Sequence, residues 1–431
     1  MNSAAASELQ KPHPVIIKQI LVVIGALLLY GVFAGIRANA GLLSMEISSG
    51  TGLTYGDAAI AFSVMDLVLA ISIPILGILT LKIRMLYLLI FGAIMCGIGF
   101  LGTAFAAVPS LLILFLGLIF GIGVSVLSFT IVYSAARQFF SEKGSAILSG
   151  FLLAAQGGLG IVLSFVISGV SNTFGITACL IVISIMAFCL IPAAFLMKPG
   201  KNKQPSGNTE KPGQPKHEIA PVLKKIFTNP FFYLLFLGSL TYGMGDGILA
   251  NHLSQIVYLA YNIEDTATFT AAYTFSIMIG AILGGFITAK VKNKALPIGI
   301  ALVIWTIINI LYIIIFNQYM NTGFVNQNLM LTCVYAGIFL NGFLIVITEL
   351  LIIGLAVEHV SAAVCAVILG LLDIFTYIGY SANSLIGGVV YEFFGELTGI
   401  AVIVFVLCVI SGIIFFLYGL KIRKDKKIIY L

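Results

Sequence analysis

Twelve apolar stretches, each long enough to cross a lipid bilayer, constrain the fold of this chain more than any other feature. A helix needs about 20 apolar residues to span the hydrocarbon core of a bilayer. Of the 431 residues, 60% are hydrophobic and 9% are charged, a composition unlike that of a water-soluble domain. We therefore expect an all-α membrane protein. The stretches lie at about 16–45, 53–81, 85–107, 109–135, 146–170, 176–197, 231–259, 266–289, 295–316, 329–356, 360–391 and 398–420.

The positions of lysine and arginine predict the orientation of these stretches. All but one of the 22 Lys and Arg residues lie at the ends of apolar stretches or in the tails and every second connection, on one common side. Cytoplasmic loops carry such an excess of positive charge, so we expect both termini in the cytoplasm and the protein in a plasma membrane of bacterial type. The first apolar run is too long for a cleaved signal peptide, so we expect it to be retained as the first helix.

The chain divides into two parts with a common pattern. The stretch 198–218 is rich in Pro, Gly, Ser and Lys, which is typical of a solvated linker. The turn Gly77-Ile-Leu-Thr-Leu-Lys82 before this stretch is answered by Gly285-Phe-Ile-Thr-Ala-Lys290 after it. Such self-similarity predicts a parallel repeat of the kind found in transporter halves. The expected units are a six-helix half at 1–197, a cytoplasmic linker at 198–225 and a six-helix half at 226–431.

This organisation resembles the major facilitator superfamily over the whole chain. Two segments are similar to its monocarboxylate transporter and oxalate/formate antiporter branch, namely Arg37-Ala-Asn-Ala-Gly-Leu-Leu-Ser-Met-Glu46 and Arg137 to Gly150 followed by Ala155 to Gly160. The resemblance implies twelve transmembrane helices in two pseudo-symmetric halves, and alternating access to a site between them. Members of the branch often hold a carboxylate with a cation in the eleventh helix, where this chain has Asp373 instead.

Arg37 is the only cation within an apolar run. A charged group in a bilayer costs about 2.5 to 3.5 kcal/mol, so it requires a function or a partner. Its guanidinium can bind a carboxylate through two parallel hydrogen bonds, and we expect it to anchor an anionic substrate. Two alternatives stay open, in which Arg37 reaches the outer surface along the lipid or pairs permanently with Asp66. The other expected substrate-binding residues are Tyr30, Asn39, Gln156, Tyr377 and Tyr380.

Several acidic residues lie in the apolar stretches without a cation at a matching depth in their own half. Burial favours the neutral form of a carboxyl group, which suits a group that carries a coupled proton. Glu349 lies nearer a helix end and could equally bond a loop, and His252 could equally be a hydrogen-bonded packing residue. The expected proton-coupling residues are Asp246, Asp373, Asp66, Glu349 and His252.

Three glycines, Gly243, Gly245 and Gly247, flank Asp246, and we expect them to loosen this helix for a gating bend. The sequence contains no HExxH, GxSxG or Walker pattern, so we expect no enzymatic activity, metal site or cofactor. The net charge of +6 comes from the predicted cytoplasmic segments, which suits an anionic lipid surface and not nucleic acid. The expected partners are a small organic anion, protons and the bilayer, and we expect a monomer.

These observations favour a secondary transporter of a small organic anion, most simply a carboxylate, that is proton-coupled or exchanging. A rival hypothesis is a proton-driven exporter of apolar or cationic compounds, because acidic residues outnumber cations in the apolar stretches and 32 phenylalanines are available for a binding wall. A third hypothesis is a non-transporting membrane sensor, although the longest polar stretch is only the linker.

Overall fold

A computed structural model describes residues 14–80, 83–140, 142–198, 224, 227–261, 266–322, 327–357, 362–394 and 398–425. Within these ranges the regular secondary structure is entirely helical, as the composition predicts. The predicted linker lies almost wholly outside the described residues, as does Lys82 in the repeated turn.

Before the linker, the described residues form ten helices and one π-helical segment, Ile113–Ile119, which joins α5 to α6. Their bounds are α1 Pro14–Arg37, α2 Ala40–Thr51, α3 Tyr55–Leu79, α4 Met85–Thr103, α5 Pro109–Leu112, α6 Phe120–Val126, α7 Phe129–Arg137, α8 Glu142–Phe174, α9 Ile176–Cys189 and α10 Ile191–Leu196.

After the linker the described chain forms six long helices. They are α11 Pro230–Tyr261, α12 Ala267–Lys290, α13 Ala295–Thr322, α14 Gln327–Val357, α15 Ala362–Phe394 and α16 Thr398–Asp425. Helices α1–α10 are called the first group below, and α11–α16 the second group.

Ten segments of the described chain are long and apolar enough to cross a membrane. A shorter apolar segment, Ala295–Leu311, lies in α13. The ten segments are Ile16–Arg37, Tyr55–Gly77, Met85–Thr103, Pro109–Arg137, Ile147–Phe174, Ile176–Leu196, Pro230–Leu259, Ala267–Lys290, Leu331–Ala356 and Gly399–Lys421.

Three of the predicted stretches are interrupted instead of forming one helix each. The first stretch breaks after Arg37, where the Asn39 side chain donates to the Gly35 and Gly160 carbonyls at 2.8 and 3.1 Å. An asparagine side chain that bonds nearby carbonyls competes with the helical ladder and so favours a break. The fourth stretch breaks between α6 and α7, directly before Phe129, and the sixth breaks at Leu190, between α9 and α10. The breaks in the first and fourth stretches lie beside residues of the candidate site.

Helix α11 runs without interruption from Pro230 to Tyr261, across the three glycines around Asp246. Two of these glycines, Gly243 and Gly247, allow a close approach of α15. A Cβ atom at Gly243 would collide with the Thr376 carbonyl, and one at Gly247 would lie 3.1 Å from the Asn383 Cβ. Small residues at a crossing let two membrane helices pack closely, which brings Asp246 next to α15.

The two groups of helices also meet along α8 and α12. A Cβ atom at Gly157 would collide with the backbone of Thr274 and Met278, whereas one at Gly169, in the same helix, would meet no atom within 4 Å. Gly157 therefore lies at a contact between the backbones of α8 and α12.

We expect Gly157→Ala to lower the melting temperature of the purified protein, because overpacking a tight contact costs about 1 to 3 kcal/mol. Gly169→Ala is the matched control and should be neutral or stabilising, since alanine is about 1 kcal/mol better than glycine in a helix. Equal melting temperatures for the two variants would contradict the close crossing of α8 and α12.

Candidate functional site

Arg37, the last residue of α1, forms a buried ion pair with Asp66 of α3. The Arg37 Nε donates to Asp66 Oδ1 at 3.1 Å, and the two residues are 7% and 1% exposed. The Arg37 Nη2 and Asp66 Oδ2 atoms are buried without a hydrogen-bond partner. The pair therefore keeps one unused donor and one unused acceptor.

The ion pair decides between the two alternatives for Arg37. The hypothesis that its side chain reaches the outer surface along the lipid is wrong, because the residue is buried within the protein. The ion pair with Asp66, which the other alternative expects, is present in the structure. Pairing offsets much of the desolvation free energy of the two buried charges, but it leaves Arg37 Nη2 able to bind another acceptor.

The Arg37 guanidinium also stacks on α15, from the second group of helices. Its central carbon lies 3.4 Å from the centroid of the Tyr380 ring and 5.3 Å from that of Tyr377. A guanidinium over an aromatic face is stabilised by the ring quadrupole, and more so away from water. Arg37 thus contacts both groups of helices at once.

A cavity of about 50 Å³ lies between the two groups beside Arg37. Since one water needs about 10 to 15 Å³ of such space, the cavity holds a few waters or a very small solute. A larger substrate would require further opening. The lining residues are Tyr30, Arg37, Phe129, Thr130, Gln156, Ser239, Tyr242, Glu349, Ile352, Ile353, Leu369, Leu372, Asp373, Thr376, Tyr377 and Tyr380.

Two carboxyl groups, Glu349 and Asp373, belong to the cavity wall. Thr130 Oγ1 donates to Asp373 Oδ2 at 2.5 Å, and Tyr242 lines the same cavity as Glu349. The break before α7 places Thr130 at this position. The cavity therefore carries two acids and one cation, which is itself paired with a third acid.

Asp246 lies behind this wall and is not a lining residue. It is 2% exposed, and it accepts hydrogen bonds from the hydroxyls of Tyr273 and Tyr380. Tyr380 thus contacts Arg37 with its ring and Asp246 with its hydroxyl.

His252 lies away from the cavity, at the end of the bundle where α3 begins. Its Nδ1 is 2.9 Å from the Tyr55 hydroxyl, and its Nε2 is 3.1 Å from the Asn383 carbonyl. A carbonyl can only accept, so Nε2 carries a hydrogen. Thr54 also donates to Glu392 at this end, at 2.7 Å. These contacts join the two groups of helices, and we call them the Tyr55 contacts.

The predicted site residues therefore fall into three places. Five of the six predicted substrate-binding residues line the cavity, together with Glu349 and Asp373. Asn39 does not line it, because its amide donates to the Gly35 and Gly160 carbonyls and its oxygen accepts from Ser164 at 2.7 Å. Asp66 and Asp246 are buried next to lining residues, and His252 belongs to the Tyr55 contacts.

Sequence reasoning missed Thr130, Tyr242 and Tyr273. These side chains are uncharged, and hydroxyl-bearing residues are common in membrane helices, so nothing in their own helices marks them. Thr130 and Tyr273 donate to acids on other helices, and Tyr242 lies within hydrogen-bond distance of Tyr380. The interruptions in the predicted helices are the nearest signal in the sequence, and only Thr130 is adjacent to one.

Comparisons with known proteins identify the family. A sequence profile described as Major Facilitator Superfamily matches residues 22–379. The chain belongs to the major facilitator superfamily. The structure is similar to a crystal structure of a bacterial homologue of the human lysosomal transporter Spinster, in an inward-facing and unoccupied conformation. The TM-score is 0.71 with 15% identity, over 96% of this chain and 99% of that one. No curated protein matches the sequence.

Membership of this superfamily makes the protein a multi-pass membrane transporter that works by alternating access. The likeness to the Spinster homologue supports the fold alone at this level of identity. The substrate of this transporter has to be argued from its own residues.

We expect Asp66→Ala to destabilise the transporter by about 3 to 5 kcal/mol, because removing one partner of a buried pair leaves an uncompensated charge. The double variant Arg37→Leu/Asp66→Leu removes both charges and should recover much of this loss. Thermal unfolding in detergent measures both effects. A single variant as stable as the wild type would show that the pair does not hold the two helices together.

Proposed function

We propose that this transporter moves a small organic anion, a carboxylate, together with a proton. The observation that carries the proposal is the state of Arg37, which lines the cavity, donates to Asp66 through Nε and keeps Nη2 without a partner. A carboxylate oxygen is the acceptor that a buried guanidinium nitrogen binds most strongly. The resemblance to the monocarboxylate transporter and oxalate/formate antiporter branch supports the same substrate class.

The charges in the cavity support coupling to a proton. Asp66 balances the charge of Arg37, and Glu349 and Asp373 lie in the same wall. If both wall acids were ionised, an entering anion would meet a net negative site and be repelled. Protonation of at least one acid removes this repulsion. We therefore favour symport of the anion with a proton over simple exchange.

The second candidate is a proton-driven exporter of cationic or apolar compounds. The excess of carboxyl groups over cations in the wall favours it, because a cation could bind between Glu349 and Asp373 without a contribution from Arg37. The two candidates differ in the effect of Arg37: it attracts an anion and repels a cation.

The topology that we propose has twelve spans in two six-helix halves, with the linker and both termini in the cytoplasm of a bacterial cell. The ten long apolar segments support it, together with α13 and α15, which have 28 and 33 residues. The distribution of lysine and arginine supports the orientation. We propose that the protein acts as a monomer, since the cavity is formed within one chain.

In proteoliposomes, we expect inward-directed proton gradients to drive accumulation of short carboxylates. Arg37→Lys should reduce this accumulation roughly tenfold or more, because a hydrogen bond to a charged group is worth about 1.5 to 3 kcal/mol and an ammonium cannot reproduce the guanidinium geometry. Uptake of labelled mono- and dicarboxylates is measured at acidic and neutral external pH.

Asp373→Asn serves as the companion variant in this assay, because the amide imitates the protonated acid. It should bind the anion with less dependence on pH than the wild type. Carboxylate accumulation by a well-folded Arg37→Ala protein would refute the anion assignment. Accumulation or efflux of quaternary ammonium compounds in place of carboxylates would support the exporter.

The topology predicts that cysteines at the two sides of the membrane react from opposite faces of intact cells. On a background that lacks the six native cysteines, Asn172→Cys at the exposed end of α8 should react with an impermeant maleimide from outside. Ser206→Cys in the linker should react only after permeabilisation. Reaction of Ser206→Cys from outside would overturn the orientation.

A further inference from the structure

Asp246 has no direct contact with the cavity, so any proton that it carries must pass through a neighbouring group. Tyr273 donates to its Oδ1 and Tyr380 donates to its Oδ2. Within the described part of the chain, Asp246 forms no ion pair. A buried carboxyl group in this setting exchanges protons along hydrogen bonds and not by contact with bulk water.

A chain of hydrogen bonds leads from Asp246 to the cavity. The Tyr380 hydroxyl lies 3.3 Å from the Tyr242 hydroxyl. Tyr242 lines the cavity, and so does Glu349. The order of groups from the cavity inward is therefore Tyr242, Tyr380 and Asp246, with Glu349 as an acid in the same cavity wall as Tyr242.

The Tyr380 hydroxyl has one hydrogen but two acceptors, the Asp246 carboxyl and the Tyr242 oxygen. When Asp246 is ionised, the hydrogen goes to the carboxylate, because a charge-assisted hydrogen bond is the stronger one. When Asp246 carries its own proton, it can donate to the Tyr380 oxygen, and the tyrosine hydrogen turns to Tyr242. The direction of donation along these hydrogen bonds thus depends on the charge of Asp246.

We propose that Tyr242 and Tyr380 form a proton relay between the cavity and Asp246, an inference that rests on the proposed proton-coupled transport. Glu349 gives its carboxyl proton to the Tyr242 oxygen while Tyr242 passes its hydroxyl hydrogen to Tyr380. Tyr380 passes its own hydrogen to Asp246. Each tyrosine gains one proton and loses one, so both stay neutral. Glu349 ends as a carboxylate and Asp246 as an acid, and the reverse order releases the proton.

The relay also reaches the anion site, because the Tyr380 ring lies 3.4 Å from the Arg37 guanidinium carbon. A change in the hydrogen bonds of the Tyr380 hydroxyl acts on the ring that supports Arg37. Tyr380 is thus a positioning residue for the anion and a conductor for the proton. This double contact couples the two ligands.

The groups around Asp246 fit this role. Helices α2, α12, α14, α15 and α16 pack against α11. Among the described residues, no titratable group of α2 or α16 interacts electrostatically with Asp246. The titratable groups that do interact with it are Tyr242 of α11 itself, Tyr273 of α12, Glu349 of α14, Tyr380 of α15 and Arg37 of α1.

The test compares two activities of the same proteoliposomes, namely accumulation driven by a pH gradient and exchange of labelled for unlabelled carboxylate. Exchange requires no net proton movement, whereas accumulation does. Tyr242→Phe and Tyr380→Phe each keep the ring and remove one hydroxyl of the relay. We expect the ratio of accumulation to exchange to fall by about tenfold or more in each variant, the lower range of a lost proton-transfer group.

Tyr258→Phe is the control, because Tyr258 lies on the same helix as Tyr242 and is 41% exposed, away from the cavity. It should leave the ratio unchanged. A second measurement needs no variant: heavy water should slow wild-type accumulation more than exchange, since only accumulation moves protons through the relay.

Ratios equal to the wild type in both tyrosine variants, or equal slowing of both activities in heavy water, would overturn the relay and leave anion transport standing. Absence of carboxylate accumulation by the wild type would overturn the proposed function and the relay together. Loss of exchange and accumulation in equal proportion would show that the hydroxyls bind substrate and do not conduct protons.

Discussion

The structure depends on the need to hold one buried cation in place. Arg37 pairs with Asp66 on one side and stacks on Tyr380 on the other, so a single side chain joins α1, α3 and α15. In a medium without water, an arginine stays ionised and requires both a counter-charge and a polarisable surface. The polar groups of the cavity are arranged around this requirement. Glu349, Asp373 and Asp246 all lie within one or two side chains of the stack.

Two breaks in the helices lie beside the cavity. Helix α1 ends at Arg37, and α7 begins directly before Thr130. Unsatisfied backbone groups are costly in lipid, so breaks at membrane depth persist only where protein groups replace the lost bonds. Asn39 does so at the first break, through the Gly35 and Gly160 carbonyls. The breaks therefore give two side chains positions that a continuous helix would not provide.

The two ends of the bundle differ in how the groups of helices meet. Along α15, the cavity-lining residues lie between Leu369 and Tyr380, whereas Asn383 and Glu392 belong to the Tyr55 contacts. Ser63 and Ser381, between these regions, are joined by a 2.8 Å hydrogen bond. Opening at the Tyr55 end requires that these polar contacts be exchanged for water. Water can replace a hydrogen bond of this kind at modest cost.

The sequence by itself determined the helical class, the approximate spans and the identity of the charged residues, because apolar length and unpaired charge are properties of single segments. It also ranked Arg37 first among candidate residues. It could not show that Arg37 pairs with Asp66, that Asn39 serves a helix break, or that the glycines around Asp246 admit a neighbouring helix. Only the tertiary structure decided these points, and with them the hydrogen-bonded path from Tyr242 to Asp246. The reason is physical: these contacts depend on how separate helices pack, with Arg37 and Asp66 29 residues apart and Tyr380 and Tyr242 138 residues apart. Their register is set by helix packing and not by local periodicity.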